Sequence, residues 1–237
     1  MRILEGKKLT KFFGGLAAVS EVDFDVDQGE IVGLIGPNGA GKTTLFNLIS
    51  GAIIPDSGVL EFKGRKLTGL KAHLVCRAGI ARTFQSVRIF PNMTVLGNVS
   101  LGGVFGNGMS SATAADAAME LLDFVGLAGA AFTRSGDLTL AHQKRLEVAR
   151  ALATKPQVML LDEVIAGLNL TEAAEVMDLI KRIRDRGITI LMIEHVMKAI
   201  MSICSRIIVL HHGEKIAEGS PAEITSNETV IKIYLGK

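Results

Sequence analysis

Cysteine is nearly absent: Cys76 and Cys204 are the only two, which excludes a disulfide framework and leaves two thiols expected to be reduced and buried as small hydrophobes. A strong charge of either sign is also missing. The formal net charge is +2, with no block of like charges, so nucleic acid is not indicated as a partner. Nor is there an apolar run near the ~18 residues that a membrane span needs, although 48% of residues are hydrophobic and the mean hydropathy is +0.36. That combination suits a chain lying against a membrane protein rather than crossing the bilayer. Met1 to Thr10 has neither the basic nor the apolar region of a signal peptide, and the expected compartment is the cytoplasm. Internal repeats and low-complexity segments are absent as well. The 237 residues suffice for one large α/β domain with a sizeable core.

What the chain does contain is GPNGAGKTT, Gly36 to Thr44, which fills every fixed position of the phosphate-binding pattern G-x-x-x-x-G-K-[ST]. Ile31 to Ile35 predicts a buried strand leading in, and Thr43 to Ile49 a helix leading out, stopped by Gly51. In this context Gly36, Gly39 and Gly41, with Pro37, Asn38 and Ala40 between them, are expected to turn consecutive backbone N–H groups inward around phosphate oxygens. The helix N-terminus, with Thr44 in its first turn, adds a favourable dipole. Lys42 would reach the β- and γ-phosphates, and the Thr43 hydroxyl would ligate a Mg²⁺ bridging them. One nucleotide site per chain follows.

Around this loop, Val22, Phe24 and Val26 alternate with Asp23, Asp25 and Asp27, the signature of a strand with one wet face. With Ile3 to Phe12 and Val59 to Phe62 it predicts a small antiparallel sheet beside the nucleotide core. Phe13 falls on the loop before Gly14 and Gly15, where an aromatic could stack on adenine; taken alone, such a residue is more often core. From Lys71 to Thr154 the pattern is helical, punctuated by glycines, with apolar faces at Ala118, Leu121, Leu122 and Val125 and at Leu146, Ala149, Leu152 and Ala153. In Ser86 to Val95, the cluster of Ile89, Phe90, Pro91 and Met93 is local core, or a docking patch if exposed.

Past the helical stretch, Val158 to Leu161 predicts a buried strand ending in Asp162 and Glu163. Two adjacent carboxylates there are costly unless they meet a cation or a reacting group. Downstream of a phosphate loop, Asp162 would hold Mg²⁺ through its shell and Glu163 would accept a proton from an attacking water. Ala173 to Arg186 predicts a charged amphipathic helix and Ile188 to Ile193 another buried strand, followed by Glu194 and His195. A lone histidine at a strand end is as readily structural as catalytic. Arg206 to Ala217 predicts a closing hairpin, and Ser220, Pro221, Ala222, Glu223 a capping box opening a C-terminal helix.

In order and spacing these motifs resemble the ATP-binding subunits of ABC transporters over essentially the whole chain. The resemblance implies an α/β P-loop (RecA-like) core, about residues 1–85 and 156–237, with an antiparallel β subdomain and an α-helical subdomain at about 86–155. It identifies the phosphate loop as Walker A, Leu160 to Glu163 as Walker B, Gln85 as the Q-loop residue touching metal and water, His195 as the switch histidine, and Phe13 as the adenine-stacking aromatic. More narrowly, Ile80 to Val99 and Glu194 to Ile224 look like the ATPases of branched-chain amino acid importers and their amide and urea relatives. Implied partners are a second ATPase subunit, a transmembrane permease and, indirectly, a substrate-binding protein, with the chain itself peripheral on the inner face of the cell membrane. The implied ligands are ATP and Mg²⁺.

Departures cluster in one place. The family's LSGGQ-like signature, which meets the other subunit's nucleotide across the dimer, is here LTLAHQ: Thr139 replaces serine, Ala141 glycine and His142 glutamine. A Cβ at Ala141 is expected to hold the backbone away from phosphate. Val164 and Asn169 replace the usual proline and aspartate. These substitutions keep open an ATP-gated but weakly hydrolysing subunit. Because the ATPases of lipid and lipopolysaccharide exporters share much of the pattern, that cargo is a second alternative, against which the Ser86 to Val95 match argues.

Overall fold

Alternation along residues 22–26 has the consequence that a period of two dictates. In the computed structural model, which describes residues 1–235, Val22, Phe24 and Val26 are buried, and Asp23, Asp25 and Asp27 lie toward solvent. They belong to β2 (Leu16–Asp27), paired with β1 (Arg2–Phe13), which in turn pairs with β4 (Ser57–Phe62) and through it β5 (Arg65–Lys66). All these pairings are antiparallel.

A second sheet has the order β10 (Glu214–Gly219), β9 (Arg206–His211), β3 (Ile31–Ile35), β8 (Thr189–Ile193), β7 (Val158–Asp162), β6 (Ile80–Arg82). Its strands run parallel except β10. Every residue of β3, β7 and β8 is buried, as continuous apolar runs require when both faces are covered. One face packs with α1 (Lys42–Ile49) and the antiparallel sheet around Phe46, Leu45, Leu34 and Leu160. Helices α4 (Ser111–Phe124), α5 (Leu140–Leu152), α6 (Leu170–Asp185) and α7 (Met197–Ile203) bring Leu122, Leu146, Ile180 and Ile200 to the core on the other.

Three expectations need correcting and one is extended. The 71–154 stretch is not helical throughout, because between α2 (Ala72–Ala78) and α3 (Val95–Leu101) the chain enters the parallel sheet as β6; three residues are too few to show a period. The closing hairpin forms as expected, and its first strand β9 also pairs with β3. The C-terminal segment forms two helices, α8 (Pro221–Ser226), opened by the expected capping box, and α9 (Glu228–Leu235), separated by an extended Asn227. Finally, Cys204 is buried but Cys76 is only half-buried.

The 86–95 segment is pinned by Asn98, itself fully buried. Its side chain accepts from Phe90 N and donates to Phe90 O and Ser135 Oγ. This leaves Ile89 and Met93 half-buried and Phe90 50% exposed.

Candidate nucleotide site

At the C-terminal end of β3 the chain must turn through the phosphate loop in very little space. A Cβ on Gly36 would lie 2.2 Å from Leu210 O, and one on Gly41, at φ +101°, 2.3 Å from Ala18 O. These glycines are therefore demanded by neighbouring backbone as much as by any ligand. Gly39 faces open space and needs glycine only for its φ of +79°. Behind the loop, the β9–β10 turn closes the packing: Gly213 N donates to Ala40 O, and Ser20 N to Gly213 O.

The loop opens onto a cleft of about 450 Å³ lined by residues 38–44, Leu16 to Ala18, Gln85, Glu163, His195 and His212. Lys42 is 6% exposed, and its Nζ donates to Gly36 O at 2.7 Å and Pro37 O at 3.0 Å. Burial pushes its pKa down, against the pull of the Glu163 and Asp162 charges. The Thr43 side chain is exposed at the helix start.

Opposite Lys42, β7 ends in an abrupt change of direction. Glu163 adopts φ +50°, a left-handed conformation uncommon for residues other than glycine and shared here by Lys8, Glu21, Lys63, Lys155 and His212. Its N–H donates to Ile193 O at 2.9 Å, and its carbonyl accepts from Lys144 Nζ at 2.7 Å. The carboxylate sits between Gln85, whose Nε2 donates to Oε2 at 3.1 Å, and His195, whose Nε2 is 3.0 Å from Oε1. Thus Gln85, Glu163 and His195, separated by up to 110 positions in sequence, meet at one wall of the cleft.

Asp162 lies behind that wall, 2% exposed, and accepts from Arg82 Nη2 at Oδ2, 3.0 Å away. Burial raises its pKa while Arg82 pulls it down. Its other oxygen, Oδ1, is buried with no hydrogen-bond partner among the described residues.

Other expected site residues lie elsewhere. Phe13 is the last residue of β1 rather than a loop residue, and is 52% exposed. It lines a separate depression with Lys11 and Lys71, and Leu16 stands at the cleft instead. Thr139 and His142 are exposed at the start of α5, away from this cleft. Thr139 Oγ1 accepts from His142 N at 3.3 Å as the helix N-cap. Ala141 is only 5% exposed in the single chain, in the first turn of α5.

Sequence reasoning missed Arg82, Lys144, Glu194 and His212. Lys144, on α5, donates to Glu163 O and to Ala166 O at 2.6 Å, and burial lowers its pKa. Glu194, 1% exposed, accepts from Ile165 N at 2.7 Å, and burial raises its pKa to about 7. Its position at the end of β8 was the available signal. Arg82 had one too, a charge inside the apolar run before Gln85.

Residues 19–166 match the ABC transporter family model, and residues 214–237 that of the branched-chain amino acid ATP-binding cassette transporter. The chain belongs to the ABC transporter ATPase family. Among relatives of this ABC ATPase, the high-affinity branched-chain amino acid transport ATP-binding protein BraF of Pseudomonas aeruginosa is 40% identical, over 99% of this chain and 98% of BraF. LivG of Escherichia coli K12, described in the same words, is 40% identical over 95% and 94%. The lipopolysaccharide export ATP-binding protein LptB of the same strain is 33% identical over 100% and 98%. A nucleotide-free ATP-binding cassette from an ABC transporter superposes with a TM-score of 0.92 at 30% identity, over all of both chains. A dimeric post-hydrolysis state of the cassette MJ0796, bound to ADP and Pi, gives 0.83 at 27% identity, over 92% of this chain and 99% of that one. The parallel sheet, the antiparallel sheet and the helical layer expected from sequence are thus the ABC ATPase fold.

A second concavity, about 460 Å³, opens between β6 and the helices. It is apolar, with Phe84, Phe90 and Phe105 on its walls and Arg82, Glu147 and Arg150 at its polar points. Phe105 is 70% exposed.

Proposed function

We propose that this chain is the ATP-hydrolysing motor of an importer for branched-chain amino acids or related small amides, acting as one of two ATPase subunits against a membrane permease on the cytoplasmic face. The observation that carries the hydrolytic reading is Glu163, held over the phosphate loop between Gln85 and His195. A carboxylate so placed takes the proton of an attacking water, and His195 orients that water and the terminal phosphate. Lys42, released from the loop carbonyls it now bonds, places its charge on the β- and γ-phosphates. The backbone N–H groups of residues 38–44 cradle them.

The residues also suit Mg²⁺, a hard cation that takes oxygen ligands. Asp162 Oδ1 is a buried oxygen with no hydrogen-bond partner among the described residues, and the Thr43 hydroxyl is exposed at the same helix start. These two, with the Gln85 amide oxygen, would hold the ion or its water shell. When bound it would neutralise charge developing on the phosphates.

The cargo reading rests on likeness, since identity to BraF and LivG exceeds that to LptB. The dimer reading is supported by the exposed start of α5 and by Leu170, 87% exposed, at the start of α6. The apolar groove around Phe90 and Phe105 suits a permease segment; among the described residues no helix is long and apolar enough to cross a membrane.

The test is uptake of labelled leucine by cells lacking the chain. Uptake restored by the parent and not by Glu163→Gln is the expected result. Intact leucine and amide uptake in the deletion, with defective lipid or lipopolysaccharide export, would replace the importer reading.

A further inference from the structure

Arg82 ends the edge strand β6, opposite Leu160 of β7. Its side chain, 8% exposed, makes polar contacts with two other elements at once. Nη2 donates to Asp162 Oδ2 at the end of β7, while Nη1 donates to Asn47 Oδ1 at 2.5 Å and to Ser50 Oγ at 3.2 Å. Asn47 belongs to α1 and Ser50 is its C-cap, so these bonds reach the helix that the phosphate loop opens. The guanidinium also lies 5.7 Å from the Phe46 ring centroid and 5.2 Å from that of Phe84, beside Gln85. Phe46 is fully buried, so the guanidinium is fixed by packing as well as by hydrogen bonds.

This arrangement splits the Asp162 carboxylate into two unlike oxygens. Oδ2 is taken by Arg82, and Oδ1 is buried with no partner among the described residues. The backbone is held as well, since Asp162 N donates to Thr83 Oγ1 at 3.0 Å, from the residue after Arg82.

We propose that Arg82 is a positioning residue that holds Asp162 in the orientation the metal-bound nucleotide requires and locks that carboxylate to α1. It touches neither nucleotide nor reacting atoms and acts through Asp162. The planar fork is essential, because a single guanidinium satisfies Asp162 and Asn47 together, whereas a lysine ammonium on a flexible stem holds one of them at a time. The inference rests on the nucleotide and Mg²⁺ reading above.

The test is calorimetric titration of ATP into the purified full chain, once in EDTA and once in excess Mg²⁺, for the parent, Arg82→Gln, Arg82→Lys and Asn47→Ala combined with Ser50→Ala. Positioning predicts that ATP affinity in EDTA stays within about threefold of the parent, because the phosphate loop is untouched. The gain in affinity on adding Mg²⁺ should fall about tenfold or more in Arg82→Gln, with Arg82→Lys recovering part of it. A general structural role would lower both titrations together and leave the Mg²⁺ gain unchanged, which overturns the proposal. Should Arg82→Gln fail to fold, Asn47→Ala combined with Ser50→Ala removes both hydrogen bonds to α1 at smaller risk: a reduced Mg²⁺ gain supports the proposal and an unchanged gain overturns it. If the parent itself binds no ATP in either condition, the nucleotide reading fails first, and that result is distinct from a parent with a normal Mg²⁺ gain that the variants retain.

Discussion

Glu163 Oε1 lies 3.0 Å from His195 Nε2, and this contact joins the ends of neighbouring strands β7 and β8, where Asp162 is in register with Ile193. The left-handed turn at Glu163 makes the contact possible, since an extended backbone there would carry the side chain to the opposite face of the sheet.

Replacing Glu163 by Gln keeps the shape of this contact and removes the base. Phosphate release should fall by about 10²–10⁴-fold, while ATP binding persists and an ATP-bound dimer accumulates on sizing chromatography. A variant that turns over at the parental rate would remove Glu163 from the role of base.

Lys42→Ala should separate binding from stability. The ammonium is desolvated and, among the described residues, bonded only to Gly36 O and Pro37 O, so the nucleotide-free protein should melt at or slightly above the parental temperature. ATP affinity should fall by at least tenfold, the equivalent of about 1.4 kcal/mol. Calorimetric titration and thermal melting read the two effects separately.

Glu194 supplies a pH dependence whose sign can be worked out. Its folded pKa is about 7 against an ordinary value of 4.5, so the folded state holds the proton more tightly than the unfolded one. That contribution is fully present below about pH 4.5 and lost as pH rises to about 7. A difference of about 2.5 pK units corresponds to roughly 3 kcal/mol. Glu194→Gln, neutral throughout, should escape this loss, so its stability relative to the parent should rise between those pH values. Urea unfolding at a series of pH values measures it; parallel curves for both proteins would count against a buried ionising Glu194.

Ala141→Gly tests the departure in the signature. Because the alanine methyl is buried, glycine should cost up to about 1 kcal/mol of helix stability and leave the ATPase rate of the isolated chain within twofold. A marked acceleration would mean that the methyl obstructs phosphate after all. His142→Gln, at an exposed position, examines the other half of the motif without touching the core.

The sequence by itself determined what depends on neighbours in the chain. The phosphate loop, its flanking strand and helix, the Ser220 capping box and the alternation of β2 follow from local sterics and periodicity. The apolar runs of β7 and β8 likewise marked them as buried strands. Only the tertiary structure decided which distant groups meet, because pairing across a sheet leaves no trace in spacing. It brought Arg82 to Asp162, Lys144 to the carbonyls of Glu163 and Ala166, and Glu194 to Ile165 N. It left Ala141 buried at the start of α5, and it put Leu16 among the residues lining the cleft. Burial, which sets the pKa directions of Lys42, Asp162 and Glu194, is a property of the packed layers, and no single stretch of the chain encodes it.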